Sequence, residues 1–231
     1  MDQQLLERNL ASVRDRIAAA ARRSNRAPDT VRLVAVTKTC PAAWARCLVE
    51  MGALDLGENY PQALWKKADV LSGMPVRWHL IGHLQSNKAK RTLPLVRMVH
   101  GVDSLRLLQT LDELAADLAD PPSVCLQVNT SGEASKHGWD PDTLLADAGA
   151  IAGCRHIPVV GLMTMAALGT DADTARPSFA RLRELRDRLR DRIDRPLPEL
   201  SMGMSGDFEA AITEGATLVR VGSALFEGVE P

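Results

Sequence analysis

Apolar residues recur at helical intervals over the first two dozen positions. Leu6, Leu10, Val13, Ile17 and Ala20 are spaced 4, 3, 4 and 3 apart, which sets them on one face of an amphipathic helix over residues 3 to 24. Pro28 closes that element. The period then changes. Short apolar runs at LVAVT, ALDLG, RWHLI, RMVHGV, SVCLQVN, PVVGLM, PELSM and TLVRVG alternate with helical segments, giving about eight β-then-α units. Val- and Leu-rich runs with few interposed polar residues suit parallel strands covered on both faces, as βαβ crossovers produce. Eight such units predict an α/β fold, a closed (β/α)8 TIM barrel with an extra N-terminal helix. An open doubly wound sheet would instead need G-x-G-x-x-G after its first strand. Lys38-Thr39-Cys40-Pro41 stands there.

No Pro-, Gly- or Ser-rich linker and no short-period repeat divides the chain, so residues 1–231 read as a single domain. The most charged stretch, residues 178 to 195, keeps Phe179, Leu182, Leu185 and Leu189 in a helical stripe. It reads as a solvated amphipathic helix with pairs such as Glu184 with Arg188, the alternative being an anion-binding patch. Composition narrows the class further. With 45% hydrophobic residues, 25% charged and a net charge of −1, the chain is an ordinary soluble globular protein without general attraction for nucleic acid or membrane. Cys40, Cys47, Cys125 and Cys154 form no C-x-x-C pair, and MDQQLLERNL is not a signal peptide. Reduced thiols and a cytoplasmic location are expected.

Only 6 of the 28 basic residues are lysine, and Lys38 ends the first apolar strand run. That is the C-terminal mouth of a barrel strand, where barrel enzymes keep their reacting groups. A lysine among apolar neighbours loses solvation of its ammonium form, and the neutral amine can attack a carbonyl to give a Schiff base. The alternative is a strand-end lysine that reaches out to solvent. Ser201-Met202-Gly203-Met204-Ser205-Gly206-Asp207 follows the seventh run and precedes a helical segment, where backbone N–H groups can converge on an anion. Arg220-Val221-Gly222-Ser223 closes the eighth run. Loops after strands seven and eight often bind phosphate in barrels, although either one alone reads equally as turn chemistry. Together with Lys38 they suit a ligand with an aldehyde at one end and a phosphate at the other, which describes pyridoxal phosphate.

Arg220 is the lone charge within LVRVG and needs a buried acceptor. A pyridine nitrogen would serve, and a permanently protonated arginine would keep that nitrogen unprotonated. A salt bridge to Glu58 or Asp207 is the other possibility. Asn59 and His79 fall near the same mouth, each able to bond the ring or to satisfy its own surroundings. The histidines lack metal-ligand spacing, and no nucleophile elbow is present, so neither a metal nor a serine nucleophile is expected.

The segments LVAVTKTCP, LGENYPQ, WHLIGHLQSNKAK, VNTSGEASKHGW, GLMTM, SMGMSGDFEAAI and TLVRVGSALFEG span residues 33 to 228 in order. Through them the sequence resembles the YggS/PROSC family of pyridoxal phosphate-binding proteins, also called pyridoxal phosphate homeostasis proteins. The resemblance implies a barrel like the N-terminal domain of alanine racemase, with Lys38 forming the internal aldimine. It also implies that Ser201, Gly203, Met204, Gly222 and Ser223 hold the phosphate. Arg220 would face the pyridine nitrogen, and Asn59 and Met202 would line the ring. Thr37, Cys40 and His83 depart from the family's usual residues, and Cys40 would add redox sensitivity beside the lysine. The family buffers and delivers the cofactor rather than turning over a substrate, which would make apo pyridoxal phosphate-dependent enzymes its partners.

A racemase would need a second acid/base group, a tyrosine on a separate C-terminal domain. Here the one tyrosine is Tyr60, and Pro231 stands eleven residues past Arg220. The expectation is a monomeric carrier without a catalytic residue. Two alternatives stand beside it. One is a pyridoxal phosphate-dependent racemase-like enzyme using His79 or Tyr60 as proton shuttle. The other is a Schiff-base lyase acting on a phosphorylated sugar without any cofactor.

Overall fold

A computed structural model of the chain describes residues 2–130, 137–166 and 172–229. Residues 131–136, which belong to the VNTSGEASKHGW segment, lie outside the described residues. The N-terminal periodicity becomes helix α1 (Asp2–Arg23), with Leu6, Leu10, Val13, Ile17 and Ala20 buried on one face. That face packs on the short helix α9 (Phe208–Thr213). There Arg16 donates to Glu209 at 2.7 Å and lies over the Phe208 ring.

Each apolar run is a strand: β1 (Arg32–Val36), β2 (Asp55–Glu58), β3 (Arg77–His83), β4 (Met98–Val102), β5 (Ser123–Gln127), β6 (Val159–Met163), β7 (Glu199–Ser201) and β8 (Leu218–Val221). They close in chain order into the expected eight-stranded parallel barrel, with β8 returning to β1 through Arg32 opposite Leu218 and Ala35 opposite Val221. The crossovers carry α2 (Ala42–Glu50), α3 (Pro61–Val70), α4 (Ser86–Thr92), α5 (Leu105–Ala115), α6 (Pro141–Ala146), α7 (Ala148–Gly153) and α8 (Ala172–Ile193). Local chemistry sets their starts. Ser104 caps α5 by accepting from Leu107 N, Asp140 caps α6 by accepting from Asp142 N and Thr143 N, and Pro61 opens α3.

Helix α8 buries the predicted stripe of Phe179, Leu182, Leu185 and Leu189. Its ion pairs differ from the expected Glu184–Arg188. Arg183 pairs with Glu214 beyond α9, and Arg190 with Asp187 at 3.2 Å one turn away in the same helix. Among the described residues no helix is long and apolar enough to cross a membrane.

Successive strand residues face opposite ways. Outward, Ala35, Leu56, Leu80, Val99, Leu126, Leu162, Leu200 and Val219 join the helices in one extended core. Inward, Val34, Met98, Cys125, Met163 and Leu218 form a small separate cluster. Buried polar side chains share the lumen with it, namely Asp55, His79, His100, Ser201 and Arg220. This differs from the bulky branched residues that usually fill such barrels.

Candidate functional site

All eight strands end at one rim, and a cavity of about 390 Å³ opens there. Lys38 reaches it from just beyond β1, Asn59 from just beyond β2 and Arg220 from β8. Met204, Gly222 and Ser223 come from the last two loops. Those six residues of the predicted set meet in one pocket. Val36, Thr39, Ile81, Met165, Ser205 and Gly206 line it too and were missed. The signal for two of them was present: Ser205 and Gly206 sit in the same small-residue loop as Met204.

The expectation that apolar neighbours would desolvate Lys38 is corrected, since the residue is exposed. Its strand end is nevertheless fixed. Lys67 of α3 donates to the Thr37 carbonyl and, at 2.6 Å, to Glu58 Oε1, which also accepts from the Thr37 hydroxyl at 2.6 Å. Asn59 approaches across a glycine. A Cβ at Gly82 would lie 2.2 Å from the Asn59 carbonyl oxygen and 2.6 Å from its Oδ1, so any larger residue would push Asn59 away. The setting of Cys40 does not favour the redox sensitivity expected beside Lys38. Burial pushes its thiol up to about 11, with Lys67 opposing and Glu58 adding to the rise, and the unreactive protonated form persists.

The two last loops are joined. Ser205 Oγ accepts from the N–H groups of Gly222 and Ala224, both at 3.3 Å. Asp207 turns back to accept from Met204 N at 2.6 Å. Gly203 has φ of +93°, and a Cβ there would sit 2.7 Å from the Ala211 Cβ, so this glycine serves the turn into α9. Neither Gly203 nor the fully buried Met202 lines the pocket. The N–H groups of Ser205, Gly206 and Ser223 have no acceptor among the described residues.

His79 and Ser201 are also absent from the pocket lining, and both are fully buried in the lumen. They belong to a hydrogen-bonded chain that crosses the barrel. Arg220 Nη1 donates to Ser201 Oγ at 2.6 Å, while Nη2 donates to the Thr164 carbonyl at 2.9 Å. Ser201 Oγ lies 2.7 Å from His100 Nδ1, His100 Nε2 lies 2.9 Å from His79 Nδ1, and His79 Nε2 lies 2.9 Å from Asp55 Oδ1. Arg77 completes the series, Nε to Oδ1 at 2.9 Å and Nη2 to Oδ2 at 2.6 Å. Neither alternative partner forms an ion pair with Arg220: Glu58 pairs with Lys67, and Asp207, although close enough to favour the Arg220 cation electrostatically, accepts from Met204 N.

The two ends of this chain decide its direction, since arginine only donates and a carboxylate only accepts. From Arg220 inward, Ser201 gives its hydroxyl hydrogen to His100 Nδ1. His100 carries its proton on Nε2 and donates to His79, and His79 carries its own on Nε2 and donates to Asp55. Burial lowers both histidines, that of His100 strongly, against a raising contribution to His79 from Asp55, so both are neutral. Burial would raise the Asp55 carboxyl, but hydrogen bonds from His79 and Arg77 outweigh it and hold it at about 2. Arg220, drawn down to about 10 by burial, remains a cation at neutral pH.

The family model described as alanine racemase, N-terminal domain, matches residues 8–230. The pyridoxal phosphate homeostasis protein of Pseudomonas aeruginosa is 47% identical over 219 residues, covering 94% of this chain and 93% of that one. The human protein of the same name is 38% identical, covering 94% of this chain and 84% of its own length. Among solved structures, PipY of Synechococcus elongatus with pyridoxal phosphate bound superposes with a TM-score of 0.85 at 36% identity, over 96% of this chain and 99% of that one. Alanine racemase from Corynebacterium glutamicum gives a TM-score of 0.72 at 16% identity, over 100% of this chain and 64% of its own, a likeness of fold alone.

Proposed function

The chain belongs to the pyridoxal phosphate homeostasis proteins of the alanine racemase N-terminal domain family, and from that membership we propose that it binds pyridoxal 5'-phosphate in the Lys38 pocket, buffering and delivering the cofactor without turning over a substrate. One observation carries the reading: a lysine amine and a buried arginine line the same pocket, beside loop N–H groups with no acceptor among the described residues. The residues fit the group. When bound, pyridoxal phosphate supplies an aldehyde with which the Lys38 amine condenses, losing water. Ser205, Gly206, Gly222 and Ser223 would hold the phosphate, and Arg220 would donate to the pyridine nitrogen. Asn59 and Met204 would bound the ring.

Among the described residues, neither candidate proton shuttle lines the pocket, which supports a carrier. A racemase-like enzyme would use Tyr60 or His79 to move a proton. Tyr60 is 65% exposed beside a different cavity, and His79 is committed to Asp55 and His100. Exposure of Lys38 suits handing the cofactor to apo-enzymes. Four free thiols suit a cytoplasmic protein. We take the barrel as one binding domain acting as a monomer.

The test is the visible absorbance spectrum with and without added pyridoxal phosphate, for the wild type and Lys38→Ala, followed by borohydride reduction and peptide mapping. The wild type should show a chromophore trapped on the Lys38 peptide, and the variant should not. No band in either protein overturns the reading and favours a lyase acting on a phosphorylated sugar. Racemisation of an amino acid, lost in Lys38→Ala, would establish the enzyme instead.

A further inference from the structure

Five polar side chains buried in a barrel lumen cost stability that an apolar filling would not. Their arrangement is ordered from end to end. His100 on β4 and Ser201 on β7 belong to strands that are not neighbours, so their 2.7 Å contact spans the lumen. The outer end is Arg77, whose side chain is 51% exposed and lines a cavity of about 420 Å³ at the N-terminal rim. The inner end is Arg220, in the lining of the Lys38 pocket at the other rim.

The direction of the chain acts on Arg220. Asp55 accepts the Nε2–H of His79, which leaves His79 Nδ1 free to accept from His100, which leaves His100 Nδ1 free to accept the Ser201 hydroxyl. Ser201 therefore presents a lone pair to Arg220, and each bond in the series polarises the next. In the opposite order, the serine oxygen would receive two donors while its own hydrogen lacked a partner among the described residues. With Nη1 on Ser201 and Nη2 on the Thr164 carbonyl, the guanidinium plane cannot turn without breaking both bonds.

We infer that Asp55, His79 and His100 are positioning residues for the cofactor: acting through Ser201, they fix and polarise Arg220, so that the hold on the pyridine nitrogen is set from the opposite rim of the barrel. The inference rests on the pyridoxal phosphate reading, in which Arg220 faces that nitrogen.

The experiment loads wild type, His100→Phe and Arg77→Gln with pyridoxal phosphate labelled with nitrogen-15 in the ring. It records the ring-nitrogen resonance, the release rate and the borohydride-trapped peptide, with circular dichroism reporting the fold. All three proteins should be trapped on Lys38. In His100→Phe the resonance should move toward that of the free pyridine base, and release should be about tenfold faster, as for loss of one charge-assisted hydrogen bond. Arg77→Gln should shift both in the same direction by less. Folded variants with the wild-type resonance and release rate overturn the inference. Should His100→Phe fail to fold, Arg77→Gln, a change at a half-exposed side chain, decides by the same readout. Wild type that traps no Lys38 peptide defeats the pyridoxal phosphate reading itself, a result distinct from trapping with an unmoved resonance.

Discussion

Val99 and His100 are consecutive on β4, yet they belong to different kinds of interior. Val99 faces the helices, in a continuous layer of Leu, Val, Ile and Ala where stability comes from apolar area removed from water. His100 faces the lumen, where a small apolar cluster shares the space with a one-way series of hydrogen bonds. The outer layer is indifferent to which leucine makes which contact so long as volume is filled. The inner one depends on the identity of every donor and acceptor. One strand thus serves stability on one face and orientation on the other.

The largest expected effect breaks the outer layer. Leu126→Ala on β5 should cost about 2–5 kcal/mol in denaturant unfolding while the folded fraction still loads Lys38. Next, the inner layer should make stability pH-dependent. His79 and His100 have folded values below the unfolded one near 6.5, so stability is present above that pH and lost as pH falls. Each histidine that stays neutral in the fold while the unfolded one takes up a proton adds up to about 1.4 kcal/mol per pH unit to the slope below pH 6.5, and His100→Gln should remove the larger share. Asp55 gives a smaller contribution of the same sign. Its carboxyl at about 2, against an unfolded value near 3.9, supplies about 2–3 kcal/mol that is lost as pH falls from about 4 to 2, and Asp55→Asn should remove that segment of the profile. Smallest of all on stability is Lys38→Ala. The exposed lysine should change unfolding by no more than about 0.5 kcal/mol while abolishing the trapped adduct, which separates the pocket's chemistry from both layers.

The same contrast explains what could be read before the structure. Barrel strands such as LVAVT and SVCLQVN are apolar on both faces and stood out as runs, and the α1 stripe stood out by its period. Runs that are apolar on both faces hide which residues turn inward and how deep they lie. His79 pairs in register with Gly57 and sits at mid-barrel, a depth set by strand register and closure rather than by local pattern. Ser201 occupies a loop-like SMGMSG segment, yet its position opposite Leu218 turns its hydroxyl into the lumen. The ion pairs that α8 does make were hidden for a related reason, because Glu214, which pairs with Arg176 and Arg183, is distant in sequence and near in space. Lys38, Asn59 and Arg220 were placed because strand ends of a barrel share a rim whatever the register.

A chain of hydrogen bonds closed by a guanidinium at one end and a carboxylate at the other is electrically polarised but does not conduct. Proton hopping needs a terminal group that can both receive and surrender a proton, and Arg220, a cation at neutral pH, can receive none. The Arg77–Asp55 ion pair at the N-terminal rim can therefore bias the lumen without delivering a proton through it. The barrel behaves as an insulated feedthrough, and whatever sits against Arg220 is shielded from protonation along that path.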